Sequence, residues 1–425
     1  MKSLIAELKR ANRRNRALPS LSQQPVHVLY GGAHLFTART PGKLAELAKK
    51  SLLENAPTPE EFDRILGLAR AHRVHERVLD KLERQAIEDL RIDFEDGYGQ
   101  RPDKEEDLEA KRAAQELTQA IKQNLMPPFF GIRVKSLSDA TAERALRTLD
   151  IFLSSFVAAQ GRRIPENFVV TLPKVASAEQ GRIFAKALTQ LEKKLKIKAD
   201  SLRFEVLVEL PELLMNQEGI CELPRLRGVA KGRLRGAHFG IYDYLSNCDV
   251  ASSNQELTHP ACDHARMIMQ TAFSGTDVQL SDGATHVIPS GTDRARILNA
   301  WRLSYRHIRH SLAHGFYQGW DLHPAQVPVR YAAIFSFFSE NLEGSAKRMK
   351  NFLDTAARAS LVGAHFDDEA SAQGLLGFFV RGFSSGAFDS NDLASAGLTP
   401  EMLKTRSFKK LMAAERSPKP RSRST

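Results

Sequence analysis

The chain has 425 residues, of which 42% are hydrophobic and 26% charged, as in a folded globular protein with room for two or three domains or one barrel with additions. Much of the formal net charge of +11 lies in the two ends, which are expected to be a solvated helix and a disordered tail, with no nucleic-acid partner. Three cysteines without metal-site spacing indicate a reducing cytoplasm rather than a disulfide framework, and no apolar run approaches the roughly twenty residues of a membrane span.

After a basic helical extension over 1–24, short apolar runs alternate with helical patterns. Eight of these runs have the length and composition of strands: 26–32, 90–99, 129–135, 168–175, 202–210, 234–243, 278–289 and 315–324. Eight strand–helix units in succession predict an α/β fold, a TIM (β/α)8 barrel, over 25–338. The pattern then becomes helical only, which predicts a C-terminal helical domain over 339–412 and a disordered basic tail over 413–425.

Charged side chains stand where the predicted strands end, and in such a barrel these ends meet at one mouth. The residues concerned are Asp93, Glu95, Asp96, Arg133, Lys174, Glu209 and Asp243. Carboxylates gathered at one mouth repel each other unless cations compensate, and Mg²⁺ suits a site made of oxygen ligands and waters. Salt bridges at the barrel rim are the alternative interpretation, and the spacing alone does not separate the two.

Six short segments, in this order, resemble motifs of the HpcH/HpaI aldolase and citrate lyase beta-subunit family, which belongs to the phosphoenolpyruvate/pyruvate-binding barrel superfamily. The segments are Asp93-Phe-Glu-Asp96, Ile132-Arg-Val134, Leu172-Pro-Lys-Val175, Val208-Glu-Leu-Pro211, Phe239-Gly-Ile-Tyr-Asp243 and Leu322-His-Pro-Ala-Gln326. Together they span most of the predicted barrel, so the chain is expected to be a long, divergent relative of that family.

The resemblance implies a Mg²⁺-dependent barrel, with Mn²⁺ as a substitute, that makes or breaks a carbon–carbon bond. Glu209 and Asp243 become the metal ligands, and Arg133, Glu95 and Asp96 become the catalytic set. In that set Arg133 binds the substrate oxygens, while the two carboxylates hold metal-bound waters and orient the arginine. The implied substrate-binding residues are Arg133, Lys174, Leu210, Pro211, Gly240 and His323. A 2-oxo acid or a hydroxyacyl-CoA is the implied small-molecule partner, and the implied assembly is a homo-oligomer, a trimer or hexamer.

The chain departs from the family pattern at three positions. Leu210 replaces a threonine, Tyr242 replaces an acidic residue, and Ala372 stands where the acyl-CoA lyases carry an aspartate, although Asp367 of the same segment is kept. The identity of the general base and the use of CoA are therefore open. Three functions are compatible with the sequence: a lyase acting on a hydroxy acid or its CoA thioester, a CoA-independent aldolase of 4-hydroxy-2-oxo acids giving pyruvate, and a non-catalytic binding barrel.

A predicted insert around 285–314 carries three histidines spaced i, i+3, i+7, namely His307, His310 and His314, with arginines between them. This spacing can bind zinc, and a basic helix face could meet the phosphates of a CoA-like substrate. Because no acidic or cysteine partner is adjacent in the chain, a solvated helix face is the preferred interpretation. His323 is expected to shape the turn into the last barrel helix, with Pro324 in its first turn, rather than to transfer protons.

Overall fold

The structure is a computed structural model that describes residues 3–5, 7, 24–68, 70–361 and 369–415. Its central element is a closed barrel of eight parallel strands in which each strand pairs with its neighbours in the sequence and β8 pairs with β1. The strands are β1 His27–Gly32, β2 Asp89–Asp93, β3 Phe129–Arg133, β4 Phe168–Leu172, β5 Arg203–Val208, β6 Leu234–Phe239, β7 Gln279–Ala284 and β8 Gln318–Asp321. The predicted TIM barrel is therefore confirmed.

Helices follow the strands and then continue alone. They are α1 Thr40–Asn55, α2 Pro59–Leu66, α3 Ala71–Gln85, α4 Asp103–Lys122, α5 Ala142–Ala159, α6 Ala178–Leu195, α7 Pro211–Leu214, α8 Leu223–Val229, α9 Ile241–Asn247, α10 Pro260–Phe273, α11 Arg294–Ala313, α12 Val327–Leu361, α13 Glu369–Ser384, α14 Ser390–Ser395, α15 Pro400–Lys404 and α16 Phe408–Glu415. None of the described helices is long and apolar enough to cross a membrane. All three cysteines are free thiols.

Two sequence expectations need correction. The segment 285–314 is not an insert, because α11 within it is the helix that connects β7 to β8 and packs as a regular barrel helix. Several strands also end earlier than predicted: β2 ends at Asp93 and β6 ends at Phe239. Glu95 therefore lies in the loop after its strand, and Asp243 lies in the first turn of α9. The apolar pattern of β2 continues past the strand end because Phe94, the next residue, is also buried.

The barrel interior is polar at the level of β2, whose side chains alternate between the inside and the helical layer. Arg91 is 1% exposed and reaches across the barrel, where its Nη2 lies 2.7 Å from Glu205 Oε2 and its Nε donates to Thr171 Oγ1 at 3.1 Å. Asp89 is its third partner. A buried arginine must be paired in this way, because an isolated charge inside a protein is costly.

The described residues fall into two compact units. One contains the barrel, over residues 25–57 and 82–330, and the other contains residues 58–68 and 70–81 together with the helices from Tyr331 onward. Within the second unit, Arg77 Nη2 lies 2.6 Å from Asp389 and 3.0 Å from Asp392. These partners are more than 300 positions apart, so the sequence could not reveal that α2 and most of α3 group with the C-terminal helices.

Candidate active site at the barrel mouth

The arginine at the end of β3 is held by the carboxylate at the end of β2. Arg133 Nε and Nη2 donate to the two oxygens of Asp93 at 2.7 and 2.5 Å, a bidentate pair that fixes the plane of the guanidinium. Its Nη1 lies 2.9 Å from Glu95 and 3.7 Å from Asp96, and its guanidinium carbon lies 4.9 Å from the ring centre of Tyr30. The side chain is almost fully buried. The surrounding carboxylates hold the pKa of Arg133 above its usual value although burial opposes the charge.

Asp93 organises the loop that follows it. Its carboxylate accepts hydrogen bonds from the backbone N–H of Glu95 at 2.9 Å and of Gly97 at 2.7 Å, so the turn carrying Glu95 and Asp96 is tied to the strand end. The family resemblance implies that Glu95 and Asp96 orient Arg133, whereas Asp93 provides the bidentate contact in the structure. The sequence feature that could have revealed this contact is the position of Asp93, a carboxylate at the end of a buried strand. Tyr30, which lies beneath Arg133, had no signal in the sequence.

Lys174 follows β4 and lies among the carboxylates of the mouth. Its Nζ contacts Glu95 and lies 3.5 Å from Asp96 Oδ1 and 3.9 Å from Asp243 Oδ2. Its backbone is in the left-handed region, with φ of 50°, and its N–H donates to Glu209 Oε1 at 2.6 Å. Burial alone would lower the pKa of Lys174, but the hydrogen bond to Glu95 and the nearby carboxylates raise it above its usual range. Lys174 is therefore an ammonium among acidic side chains.

Glu209 is the buried carboxylate of the mouth. It follows β5 directly, and its residue is 3% exposed. Burial raises the pKa of Glu209 to about 8; the charges of Asp243 and Glu95 act in the same direction, while Lys174 opposes them. Gly240 lies against it, since a Cβ at residue 240 would come within 2.6 Å of the Glu209 Cβ and 2.7 Å of its Oε2. Only glycine leaves room for Glu209 in this position.

The charges of the mouth do not balance. Five carboxyl groups and two cations meet there, with a net charge of −3 once Glu209 is ionised: Asp93, Glu95, Asp96, Glu209, Asp243, Arg133 and Lys174. Asp96 and Asp243 are the exposed members, with 63% and 45% of their side chains accessible, whereas Glu209 is buried and has a raised pKa. An all-oxygen set with one buried and one open carboxylate fits a hard divalent cation such as Mg²⁺, which keeps several waters.

The other predicted site residues lie near these groups in the chain. Leu210 is the residue before α7 and Pro211 is the first residue of that helix, so both follow Glu209 immediately. His323 stands at the end of β8, where its Nδ1 accepts from the Ala325 N–H at 3.1 Å and it forms a capping box with Gln326. Burial lowers the pKa of His323. Within the described part of the chain, no hydrogen bond or ion pair joins His323 to the charged cluster, and its contacts agree with the expected role in shaping the turn.

Two of the departures from the family pattern have structural consequences. The hydroxyl of Tyr242 donates to the Ala284 carbonyl at 3.0 Å and lies 2.9 Å from His286 Nδ1, so it ties α9 to the loop after β7. Ala372 is completely buried in α13 and brings no carboxylate. Asp367 lies outside the described residues.

A family model described as a domain of unknown function, DUF6986, matches residues 8–411. Among curated proteins, none matches the chain. Among solved structures, a citrate lyase from Burkholderia xenovorans LB400 is similar over 90% of this chain and 98% of that chain, with 15% identity and a TM-score of 0.55. A Haloferax volcanii malate synthase in complex with magnesium and glyoxylate is similar over 92% of this chain and 98% of that chain, with 15% identity and a TM-score of 0.48.

The citrate lyase beta subunit from M. tuberculosis, complexed with oxaloacetate and magnesium, is similar over 73% of this chain and 96% of that chain, with 16% identity and a TM-score of 0.41. At 15% identity the likeness to the Burkholderia protein establishes a shared fold, and the two lower-scoring likenesses add nothing to that. The expected likeness to the citrate lyase barrel is thus confirmed for the fold.

Proposed function

The chain belongs to the DUF6986 family, a family of unknown function, and we propose that it is a Mg²⁺-dependent carbon–carbon lyase. In this proposal it cleaves or condenses a hydroxy acid, or the CoA thioester of one, through an enolate. The observation that carries the proposal is the gathering of Glu209, Asp243, Arg133 and Lys174 at the carboxyl end of a closed barrel. Active sites of such barrels lie at this end.

In the proposed mechanism Glu209 and Asp243 hold the cation, and Gly240 keeps the space that Glu209 needs. When bound, Mg²⁺ supplies a Lewis acid that stabilises the negative charge developing on the enolate oxygen. Cleavage next to a carbonyl creates that negative charge. Because the carboxylates of the site would repel it, cations directed at the substrate are needed to stabilise it. The expected Mn²⁺ substitution follows from the same oxygen ligands.

Arg133 is proposed to bind the carboxylate or keto oxygen of the substrate. A guanidinium has five N–H donors; two of them, on Nε and Nη2, donate to Asp93, while Nη1 forms an ion pair with Glu95. One N–H on each terminal nitrogen is therefore left for a planar oxygen pair, which matches the bidentate geometry of a carboxylate. Because Asp93 fixes the plane of the guanidinium, the arginine does not have to reorganise when the charge develops.

A CoA-independent aldolase that releases pyruvate from a 4-hydroxy-2-oxo acid is the second candidate. The specific observation in its favour is Ala372, which replaces the aspartate of the acyl-CoA lyases with a buried side chain that cannot accept a proton. Both candidates use the same enolate chemistry and differ in whether the product is a thioester or a 2-oxo acid.

A homo-oligomer remains part of the proposal, and light scattering coupled to size-exclusion chromatography would test it.

Enolate formation can be tested without knowledge of the natural substrate. Pyruvate and acetyl-CoA each carry methyl protons that exchange with D₂O when an enzyme removes one to a protein base and returns deuterium. Proton NMR of each compound with the protein and Mg²⁺ should show loss of one of the two methyl signals. Exchange of pyruvate favours the aldolase, and exchange of acetyl-CoA favours the thioester lyase.

The exchange should stop on chelation and fall by about 10²-fold or more in Glu209→Gln and Arg133→Lys, since each removes a charge or a donor directed at the developing enolate. Glu212→Gln is a matched control, because Glu212 is an exposed carboxylate three residues beyond Glu209. If neither compound exchanges while Mg²⁺ binds, the lyase proposal fails and the non-catalytic binding barrel is favoured. Full exchange in Glu209→Gln would refute the metal site.

A further inference from the structure

A second candidate metal site lies on the outer helices of the barrel unit, away from the mouth residues in the chain. Asp263 in the first turn of α10, His310 in the last turn of α11, and His314 just after that helix come together there. Their donor atoms all lie within 4.8 Å of one another, and among the described residues no other group of three potential ligands is as compact. Asp263 is therefore the acidic partner that the sequence did not show next to the histidines.

The distances within the cluster fit a tetrahedral ion. Asp263 Oδ1 lies 2.8 Å from His310 Nε2 and 3.7 Å from His314 Nε2, and the two imidazole centres are 4.2 Å apart. Zinc–ligand bonds of about 2.0–2.1 Å place tetrahedral ligand atoms about 3.3 Å apart, so the observed separations bracket the required value. The side chains are 25 to 35% exposed, which leaves solvent access to the remaining coordination position.

The ligands are held by a second set of contacts. His314 Nδ1 lies 2.9 Å from the carbonyl oxygen of His310, so a neutral imidazole that donates from Nδ1 presents the lone pair of Nε2 to the cluster. Arg266 is fully buried and donates to Asp263 Oδ1 at 2.7 Å and to Asp282 Oδ2 at 2.9 Å, which anchors the aspartate. The Gln270 amide donates to the His314 carbonyl.

Asp263 Oδ1 lies at hydrogen-bond distance from both His310 and Arg266. Burial would raise the pKa of Asp263, but its hydrogen bond to His310 and the charge of Arg266 hold it below its usual value. His307, the third histidine of the sequence pattern, is not part of the cluster. Its side chain is buried, with Nδ1 2.9 Å from Thr285 Oγ1, and burial lowers the pKa of His307 to about 4.

We propose that Asp263, His310 and His314 bind a divalent transition-metal ion of the zinc class, with water or a small ligand in the open position. Two imidazoles and one carboxylate suit zinc, cobalt or nickel, whereas Mg²⁺ prefers oxygen ligands alone. The site joins the first turn of α10 to the end of α11, so the ion would also stabilise the packing of these two helices. The proposal is independent of the reaction at the mouth.

The test is a calorimetric titration of Zn²⁺ into the full chain in the presence of a large excess of Mg²⁺. The expected result is one equivalent of Zn²⁺ bound, with an affinity that falls at least tenfold in His310→Gln and in His314→Gln. His264→Gln is the matched control, because His264 is an exposed histidine adjacent to Asp263, and it should bind like the wild type. Asp243→Asn should also retain this equivalent, which separates the site from the mouth.

Binding of Co²⁺ gives a second readout that does not depend on the folding of any variant. A four-coordinate site with imidazole ligands gives strong visible absorption, whereas a six-coordinate oxygen site at the mouth gives weak absorption. Strong absorption at one equivalent in the wild-type chain supports the proposal. Absence of Zn²⁺ binding in the wild type, weak Co²⁺ absorption only, or unchanged affinity in both histidine variants would overturn it.

Discussion

Binding of Mg²⁺ at the mouth should release protons, in an amount that depends on pH because of Glu209. This carboxyl is 3% exposed, and burial raises its pKa to about 8. About 0.9 of the Glu209 side chains are therefore protonated at pH 7 and about 0.1 at pH 9. A carboxyl must be ionised to bind a hard cation, so Mg²⁺ binding should release about 0.9 protons at pH 7 and about 0.1 at pH 9.

The assay is isothermal titration of Mg²⁺ at each pH in two buffers that differ in ionisation enthalpy. The difference in apparent binding enthalpy between the buffers gives the number of protons released. Glu212→Gln should behave like the wild type, while Glu209→Gln should lose most of the Mg²⁺ affinity and the proton release with it. Tight Mg²⁺ binding at pH 7 without proton release would refute the reasoning, because it would mean that Glu209 is ionised before the cation arrives.

The same shift predicts how the metal-free protein responds to pH. The pKa of Glu209 is raised in the folded state from an ordinary value of 4.5, so the folded state binds more protons than the unfolded state between about pH 4.5 and 8. Stability should fall as pH rises through this window, by an upper limit of about 5 kcal/mol from a shift of 3.5 units at 1.36 kcal/mol each. With a chelator at pH 8, Glu209→Gln should therefore melt at a higher temperature than the wild type. A lower melting temperature would contradict the burial of an ionised carboxylate.

Three further substitutions test other parts of the site. Gly240→Ala should weaken Mg²⁺ binding at least tenfold, because its Cβ would displace Glu209. Gly31→Ala is the control and should leave the affinity unchanged, since no atom lies within 4 Å of the added Cβ. Equal Mg²⁺ affinities of the two variants would contradict this. Arg133→Lys should lower the exchange rate of the preferred substrate by about 10²-fold with little change in Mg²⁺ affinity, since lysine has no planar fork; a loss of Mg²⁺ affinity instead would point to a structural role. Arg91→Met should lower the free energy of unfolding in urea by about 3–5 kcal/mol, because it removes the cationic partner of buried Asp89 and leaves buried Glu205 with His238 as its partner. A loss below about 1 kcal/mol would show that these carboxylates are neutral.

The fold was largely predictable from local patterns. Each strand is a short apolar run followed by a helical period, and eight such units in succession leave few topologies other than a closed parallel barrel. The strand ends were less predictable, because the apolar pattern of β2 continues through Phe94, which packs against Phe152 at 6.2 Å between ring centres. The prediction of an insert at 285–314 was wrong. The many polar residues of α11 obscured the pattern of a helix that connects two barrel strands.

The sequence by itself determined which charged residues follow the strands and so lie at the mouth, since parallel strands direct their carboxyl ends to one side of the barrel. Only the tertiary structure decided how these residues pair: that Asp93 holds Arg133, and that Glu209 is buried deeply enough to have a raised pKa. The cluster of Asp263 with His310 and His314 depended on tertiary structure in the same way. These residues are up to 51 positions apart, and a contact between two helices depends on how both pack on the barrel rather than on the periodicity of either one.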